Sequence, residues 1–194
     1  MTEKDRFFDQ ETGATIITYD IPHLLLIKRK VYEDERGFFS EVFHMEDIKK
    51  YTGIDFQPVR MNHSCSLPRV IRGLHSEDMN KLIYPVSGKM FAAIADVKPE
   101  SPTFGKVETF YFDESDSKAL FIPKGVANSI CVVGEEPVEY IYLVDEHYHQ
   151  GTVNKGIAWN DPDLNIKWPI ENPIISKRDR NNPTLKKLFS EKFK

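Results

Sequence analysis

The 194-residue chain is 40% hydrophobic and 29% charged, a composition that predicts one globular domain, residues 1–194, with a substantial core. Its formal net charge of −4 argues against nucleic acid as a partner, although it is compatible with a local cationic pocket. The sequence has no apolar leader and no run of about 18 apolar residues, so we expect a cytoplasmic protein without a membrane partner.

Short apolar runs recur from residue 14 onward, each closed by Gly, Pro, Asp or Asn, and they predict an antiparallel sandwich or barrel. The segment 87–89 is interpreted as a hairpin loop, and an acidic turn at 33–37 presents Arg36. The predicted strands cover residues 15–19, 23–28, 38–43, 81–86, 90–97, 106–112, 119–122, 126–133 and 139–145.

Two helices are predicted outside the sheets. Residues 45–51 favour a helix, and Gly53 is suited to end it. A charged final helix is predicted from Pro183 to Phe193. The two cysteines, Cys65 and Cys131, lack the spacing of a disulfide framework or a zinc site, and both are predicted to be reduced and buried.

The stretch Arg72-Gly73-Leu74-His75 places a fixed positive charge beside the side chain whose pKa is ordinarily nearest neutrality. Lys81 follows six residues later and could stabilise a developing negative charge. Asp179 and Tyr142 are further candidates for acid–base chemistry. Each also has a structural interpretation, because Asp179 could cap the final helix, Tyr142 could lie in the core, and Lys81 could be a surface residue.

A metal site is the first alternative, since small β-barrels often hold metals through a His-x-His pair, a carboxylate and a distant histidine. Here His75 is followed by Glu77, and Asn128 stands where a closing histidine would be expected. The sequence therefore predicts neither a metal nor another cofactor. Hydrolysis through an activated serine is also disfavoured, because the chain has no Gly-x-Ser-x-Gly elbow. The chain also has no glycine-rich phosphate loop.

Several ordered motifs, spread from about Leu24 to Leu185, resemble those of the dTDP-4-dehydrorhamnose 3,5-epimerase family, whose members are cupin-type jelly rolls. They are Asp34-Glu35-Arg36-Gly37-Phe38-Phe39 with Glu41, Asn62-His63-Ser64, Arg72-Gly73-Leu74-His75, Lys81-Leu82, Ser101-Pro102-Thr103-Phe104-Gly105, Ile122-Pro123, Glu139-Tyr140-Ile141-Tyr142, Trp159-Asn160-Asp161, Trp168-Pro169 and Ser176 to Asp179. The resemblance implies an all-β jelly roll with a few short peripheral helices. It also implies an epimerase that acts at C3, C5 or both of a nucleotide-linked 4-keto-6-deoxy sugar or 4-keto heptose.

The resemblance also implies a role for four catalytic residues. His75 matches the family's base, and Asp179 matches the carboxylate that orients it. Tyr142 matches the acid on the opposite face of the sugar, and Lys81 matches the cation beside the enolate oxygen. The family is dimeric through strand exchange, so a homodimer is expected.

Further positions match residues that bind the nucleotide-diphosphate sugar. Arg36 and Arg72 match diphosphate contacts, Asn62 lines the sugar pocket, and Glu41 matches a contact to the pyrimidine base between two aromatic positions. The complete substrate-binding set is Arg72, Arg36, Asn62, Glu41, Tyr32, Tyr148, Glu77, Asn128, Arg60 and Arg178.

Four positions depart from the family pattern around the sugar. Glu77 and Arg60 replace glutamines, Asn128 replaces a histidine, and Ala92 replaces an aspartate. These changes suggest an unusual sugar, a single inverted centre or a different nucleotide. A ketoisomerase, a non-catalytic sugar-nucleotide-binding cupin and a metal-dependent oxygenase remain the alternatives.

Overall fold

The computed structural model describes residues 3–113, 117–147 and 155–193 and consists mainly of two facing β-sheets. The seven-stranded sheet contains, in spatial order, β1 (Asp5–Phe8), β2 (Thr15–Thr18), β3 (Leu25–Lys28), β11 (Lys118–Ile122), β8 (Lys81–Ser87), β13 (Val138–Val144) and β6 (Arg60–Ser66). The six-stranded sheet contains β10 (Val107–Phe112), β9 (Met90–Asp96), β12 (Val126–Val132), β7 (Val70–Ser76) and β14 (Lys155–Gly156), with β15 (Ile174–Ile175) parallel to β7. A separate hairpin consists of β4 (Tyr32–Asp34) and β5 (Gly37–Phe39). The all-β prediction is confirmed.

The main core lies between the two sheets, because alternate residues of each strand point inward. In β9, Ala92 and Ile94 face this core, while Phe91 and Ala93 pack against the outer layer that contains Trp168. That layer covers the six-stranded sheet, so β9 is buried on both faces and is apolar without interruption from Met90 to Ala95. The absence of period-two alternation in this strand therefore follows from its position.

The predicted hairpin loop at 87–89 is wrong, because β8 and β9 belong to different sheets. The chain crosses from one sheet to the other at Gly88, whose φ is 79°. A Cβ atom there would lie 2.4 Å from the Pro137 carbonyl oxygen, so this crossing needs glycine. The 134–137 loop likewise joins strands of opposite sheets.

The first predicted helix is confirmed as α1 (Met45–Thr52), which packs buried Ile48 against the seven-stranded sheet. Gly53 ends it with φ 75° and donates its N–H to the Lys49 carbonyl at 2.8 Å. The single helix predicted from Pro183 to Phe193 is wrong.

That final segment forms α3 (Leu185–Leu188) and a 3₁₀ helix at Ser190–Phe193. The backbone leaves the helical region at Phe189, with φ −132° and ψ 51°. This break lets both Phe189 and Phe193 contact Phe104, with ring centroids 5.6 and 6.3 Å apart. Among the described residues, none of the helices is long and apolar enough to span a membrane.

Other sequence predictions also need correction. His23 has a φ of 66° and does not belong to the predicted 23–28 strand. The predicted 38–43 strand ends at Phe39, where Ser40 turns away to hydrogen-bond the Lys30 carbonyl. Cys65 is exposed, because alternation along β6 turns it outward, whereas Cys131 is buried and both are free.

Candidate active site

A cavity of about 270 Å³ opens between the two sheets, and half of the predicted site residues line it. Its walls come from β6, β7, β8, β12 and β13, together with the short helix α2 (Lys177–Arg180). The lining residues are Ser64, Arg72, His75, Glu77, Lys81, Ile83, Asn128, Ile130, Tyr140, Tyr142 and Arg178. The jelly roll therefore brings together side chains that are more than 100 positions apart in sequence.

His75 and Asp179 form a hydrogen-bonded pair, with 2.8 Å between Nε2 and Oδ1. The Asp179 side chain is only 3% exposed, and its other oxygen accepts the Gly73 N–H at 3.3 Å. Burial by itself would raise the pKa of Asp179, but the His75 hydrogen bond and charge, the Gly73 N–H and the Arg178 charge together lower it. Asp179 is therefore ionised at neutral pH and can orient the imidazole.

Asp179 does not cap the final helix, as one sequence interpretation allowed. It lies inside α2, and its backbone N–H donates to the Ser176 side chain at 3.0 Å. This cap fixes the short helix and with it the direction of the Asp179 carboxylate.

Arg178 competes for the same imidazole nitrogen, since its guanidinium lies 2.7 Å from Nε2 of His75. Arginine only donates and an ionised carboxylate only accepts, so Nε2 cannot bond both groups at once. Arg178 is 66% exposed, whereas Asp179 is held by the Gly73 N–H and the α2 backbone. We therefore assign the Nε2 hydrogen to Asp179, which leaves the lone pair of neutral His75 on Nδ1.

Gly73 gives the strand the shape that places His75. Its φ is 124°, and an added Cβ would lie 2.7 Å from the Asn128 carbonyl oxygen. The register between β7 and β12 also shifts between Asn128 and Ile130, which are opposite His75 and Arg72, on either side of Gly73. Close backbone approach at Gly73 thus lets its N–H reach Asp179 while His75 faces the cavity.

Lys81 reaches the cavity from the seven-stranded sheet and is 8% exposed. Its ammonium is paired with the Glu77 carboxylate and lies 3.5 Å from the Asn128 amide oxygen. The Asn128 amide nitrogen in turn donates to the His75 carbonyl at 3.0 Å. Two of the residues that depart from the family pattern therefore contact the predicted catalytic lysine.

Tyr142 lines the opposite wall from His75, because β13 and β7 belong to different sheets. Its ring lies 5.2 Å from the Lys81 ammonium. Burial raises the pKa of Tyr142, and the neighbouring Tyr140 and Glu77 raise it further, against the opposing charges of Arg60 and Arg72. The phenol is thus protonated at neutral pH and can donate a proton.

Of the remaining predicted residues on β6 and β7, only Arg72 is among the residues that line the cavity, and Asn62 and Arg60 are not. Arg72 lines the cavity and donates to the Ser66 hydroxyl at 2.8 Å. Asn62 is paired in register with Tyr142, and its amide nitrogen is buried without a hydrogen-bond partner among the described residues. The Nε of Arg60 is likewise buried without a hydrogen-bond partner among the described residues. Both groups can donate to an additional acceptor.

Tyr32, Arg36 and Glu41 are not brought into this cavity within one chain. Tyr32 and Arg36 lie on the β4–β5 hairpin and line a separate recess, where Arg36 is paired with Asp34. Glu41 lies 3.8 Å from Arg29, measured between the charged groups, away from the cavity lining. Tyr148 lies outside the described residues.

Sequence reasoning missed Ser64 and Tyr140 as lining residues, and it did not foresee the part played by the Gly73 N–H. Ser64 and Tyr140 lie two positions from Asn62 and Tyr142 on their strands, so period-two alternation could have identified them. Within residues 3–113, 117–147 and 155–193, no group of three or more His, Cys, Asp or Glu side chains is arranged to hold a metal ion.

The model of the family described as dTDP-4-dehydrorhamnose 3,5-epimerase matches residues 18–187. A dTDP-4-dehydrorhamnose 3,5-epimerase from Shigella flexneri is 36% identical over 170 residues, which cover 86% of this chain and 93% of that protein. A dTDP-4-dehydrorhamnose 3-epimerase from Streptomyces niveus is 29% identical over 152 residues, covering 76% of this chain and 72% of that one.

The fold matches a solved 3,5-epimerase from Legionella pneumophila in complex with dTDP-4-keto-L-rhamnose, with a TM-score of 0.84 and 31% identity. The match covers 92% of this chain and 96% of that one. The cupin-type jelly roll is confirmed, as is the assignment to the isomerases. The order of the motifs, the two-sheet cavity and these matches agree: the chain belongs to the dTDP-4-dehydrorhamnose 3,5-epimerase family.

Proposed function

We propose that the protein inverts C3, C5 or both of a nucleotide-diphosphate-linked 4-keto-6-deoxy sugar through side-chain acid–base chemistry. The observation that carries this proposal is the placement of His75 and Tyr142 on opposite walls of one cavity. A base on one face of a sugar ring and an acid on the other are what inversion of a carbon requires. We place this activity in the cytoplasm.

The first step is removal of a proton next to the 4-keto group. Neutral His75 accepts the C3 or C5 proton through Nδ1, and Asp179 stabilises the imidazolium that forms. The electron pair of the broken C–H bond forms a double bond to C4, and the π electrons of the C4 carbonyl move onto its oxygen as negative charge. Lys81 has three ammonium hydrogens, of which Glu77 and Asn128 engage two, so one remains for this oxygen.

The second step returns a proton to the opposite face. The Tyr142 phenol donates it, the enolate collapses to the ketone, and the carbon is inverted. A raised pKa suits this role because the phenol stays protonated until the carbanion accepts its proton. Arg72 and Arg178, at the cavity wall, are the side chains that we assign to the diphosphate.

Replacing Tyr142 with phenylalanine separates the two steps. We expect Tyr142→Phe to lower formation of the inverted product by about 100-fold or more, while exchange of the substrate C–H with deuterated water persists. Proton NMR of the sugar reports both quantities and also distinguishes an epimer from a product in which the keto group has moved. Tyr111→Phe, an exposed tyrosine on β10, is the matched control. Equal loss of exchange and inversion would contradict the assigned role.

We also propose that the protein acts as a homodimer in which the hairpin of a second copy completes the site. The β4–β5 hairpin carries Tyr32 and Arg36 but lies outside its own chain's cavity. It also exposes Phe38 and Phe39 by 69% and 66%, which leaves a large apolar surface for a partner.

Light scattering is expected to give the mass of a dimer for the unmodified chain. The double substitution Phe38→Ser with Phe39→Ser is expected to release monomers and to raise KM, because the hairpin then no longer reaches the second cavity. A monomeric wild-type protein with full activity would contradict the dimer proposal.

A further inference from the structure

Glu77 lies beside the proposed base and has no role in the two proton transfers. It follows β7 directly and stands two residues after His75. Both line the cavity. A carboxylate in this position faces whichever sugar atoms lie next to the carbon that His75 deprotonates.

The charge of Glu77 is already balanced within the protein. Its Oε2 pairs with Lys81, and the two side chains are 20% and 10% exposed. Within the described residues, the second oxygen, Oε1, makes no hydrogen bond, so it can accept one. Because the Glu77–Lys81 pair is neutral overall, it favours an uncharged hydrogen-bond donor on the sugar over a cation.

The position of Lys81 identifies that donor. In the proposed function the Lys81 ammonium binds the C4 oxygen, and Glu77 is in direct contact with that ammonium. The sugar group that donates a hydrogen bond to Glu77 must therefore be bonded to a carbon next to C4. In a 4-keto-6-deoxy sugar, C3 carries a hydroxyl, whereas C5 carries a methyl group and the ring oxygen, neither of which donates a hydrogen bond.

We infer that Glu77 is a specificity-determining residue that accepts a hydrogen bond from the C3 hydroxyl of the substrate. This inference rests on the proposed function. The contact orients C3 so that its hydrogen faces His75 while the C4 oxygen lies on Lys81. Glu77 thereby selects sugars that carry a hydroxyl at C3 and directs the chemistry to that carbon.

The test compares Glu77→Gln with the wild type on two substrates, a dTDP-linked 4-keto-6-deoxy hexose and its 3-deoxy counterpart. Glutamine keeps the volume and an oxygen for Lys81, but it replaces the second acceptor with an NH₂ donor. The initial rate of deuterium incorporation at C3, measured by NMR in deuterated water, is the readout. Asp78→Asn, which removes an exposed carboxylate from the next position, is the matched control.

On the 3-hydroxy sugar, Glu77→Gln is expected to lower exchange at C3 by about 10- to 100-fold, the usual effect of losing a hydrogen bond to a charged group. On the 3-deoxy sugar the variant and the wild type are expected to exchange at similar rates. Equal losses on both sugars would show that Glu77 acts only by holding Lys81 and would overturn the inference. Exchange at C5 but not at C3 of the wild type's substrate would overturn this inference and leave the proposed function standing. If the wild type exchanges neither C3 nor C5 of the 3-hydroxy sugar, whether it is linked to dTDP, CDP or GDP, the proposed function itself is overturned, and this inference with it.

Discussion

Replacing His75 with asparagine is expected to lower turnover by about 100- to 10,000-fold, the usual contribution of a positioned base. Asparagine fills similar space and can still hydrogen-bond Asp179, but it cannot accept a proton from carbon at neutral pH. Both deuterium exchange and inversion should therefore be lost together. Exchange is measured by NMR in deuterated water, and retention of fold by the unfolding temperature.

The chain supplies a matched control for this substitution. His63 also lies 2.9 Å from a carboxylate oxygen, that of Glu139, but alternation along β6 turns it outward. His63→Asn is expected to retain wild-type exchange. If the two asparagine variants exchanged at the same rate, His75 would not be the base.

Replacing Asp179 with asparagine is the second large change. An amide carries no charge to stabilise the imidazolium and can hold His75 in the wrong tautomer by donating to Nε2. We expect kcat to fall by about 100- to 10,000-fold with a much smaller change in KM, because Asp179 lies behind His75 and does not line the main cavity. Steady-state kinetics over a range of substrate concentrations separates the two constants.

The lowered pKa of Asp179 also predicts how stability depends on pH. A carboxyl whose pKa is lower in the folded state stabilises that state above the unfolded pKa of about 3.9, and the contribution is lost as pH falls through the folded pKa. The difference in the free energy of unfolding between wild type and Asp179→Asn should therefore shrink from pH 7 to acid pH. Denaturant titrations at several pH values measure it. A difference that grows on acidification, or an unchanged kcat at neutral pH, would contradict the pairing with His75.

Strand content could be predicted from the sequence more reliably than strand partners. The runs at 90–97 and 126–133 are mostly apolar, and each forms a strand whose residues are all buried. Which sheet each strand joins depends on long-range pairing that the local sequence does not encode. The hairpin predicted at 87–89 is wrong for this reason, since β8 and β9 join different sheets. Strand β1 was missed because all four of its residues are exposed and it therefore carries no alternating pattern.

The candidate site could be predicted mainly through family motifs. Composition and spacing identify His75 as a candidate, but Asp179 is 104 positions away and only the fold brings it within hydrogen-bond distance. The pairing of Glu77 with Lys81 also needs the structure, because Glu77 lies just after β7, Lys81 begins β8, and these strands belong to different sheets. The hairpin residue Arg36 resembles a substrate contact in sequence, yet a single chain leaves it outside the cavity.

The most direct test of the proposed chemistry is incubation of the wild-type protein with dTDP-, CDP- and GDP-linked 4-keto-6-deoxy sugars in deuterated water, followed by NMR of the sugar. The proposed base and acid predict that deuterium enters C3, C5 or both of at least one of these sugars, and that inverted product accumulates. Unexchanged hydrogens at C3 and C5 in every one of them would contradict the assignment of His75, Lys81 and Tyr142 to epimerisation.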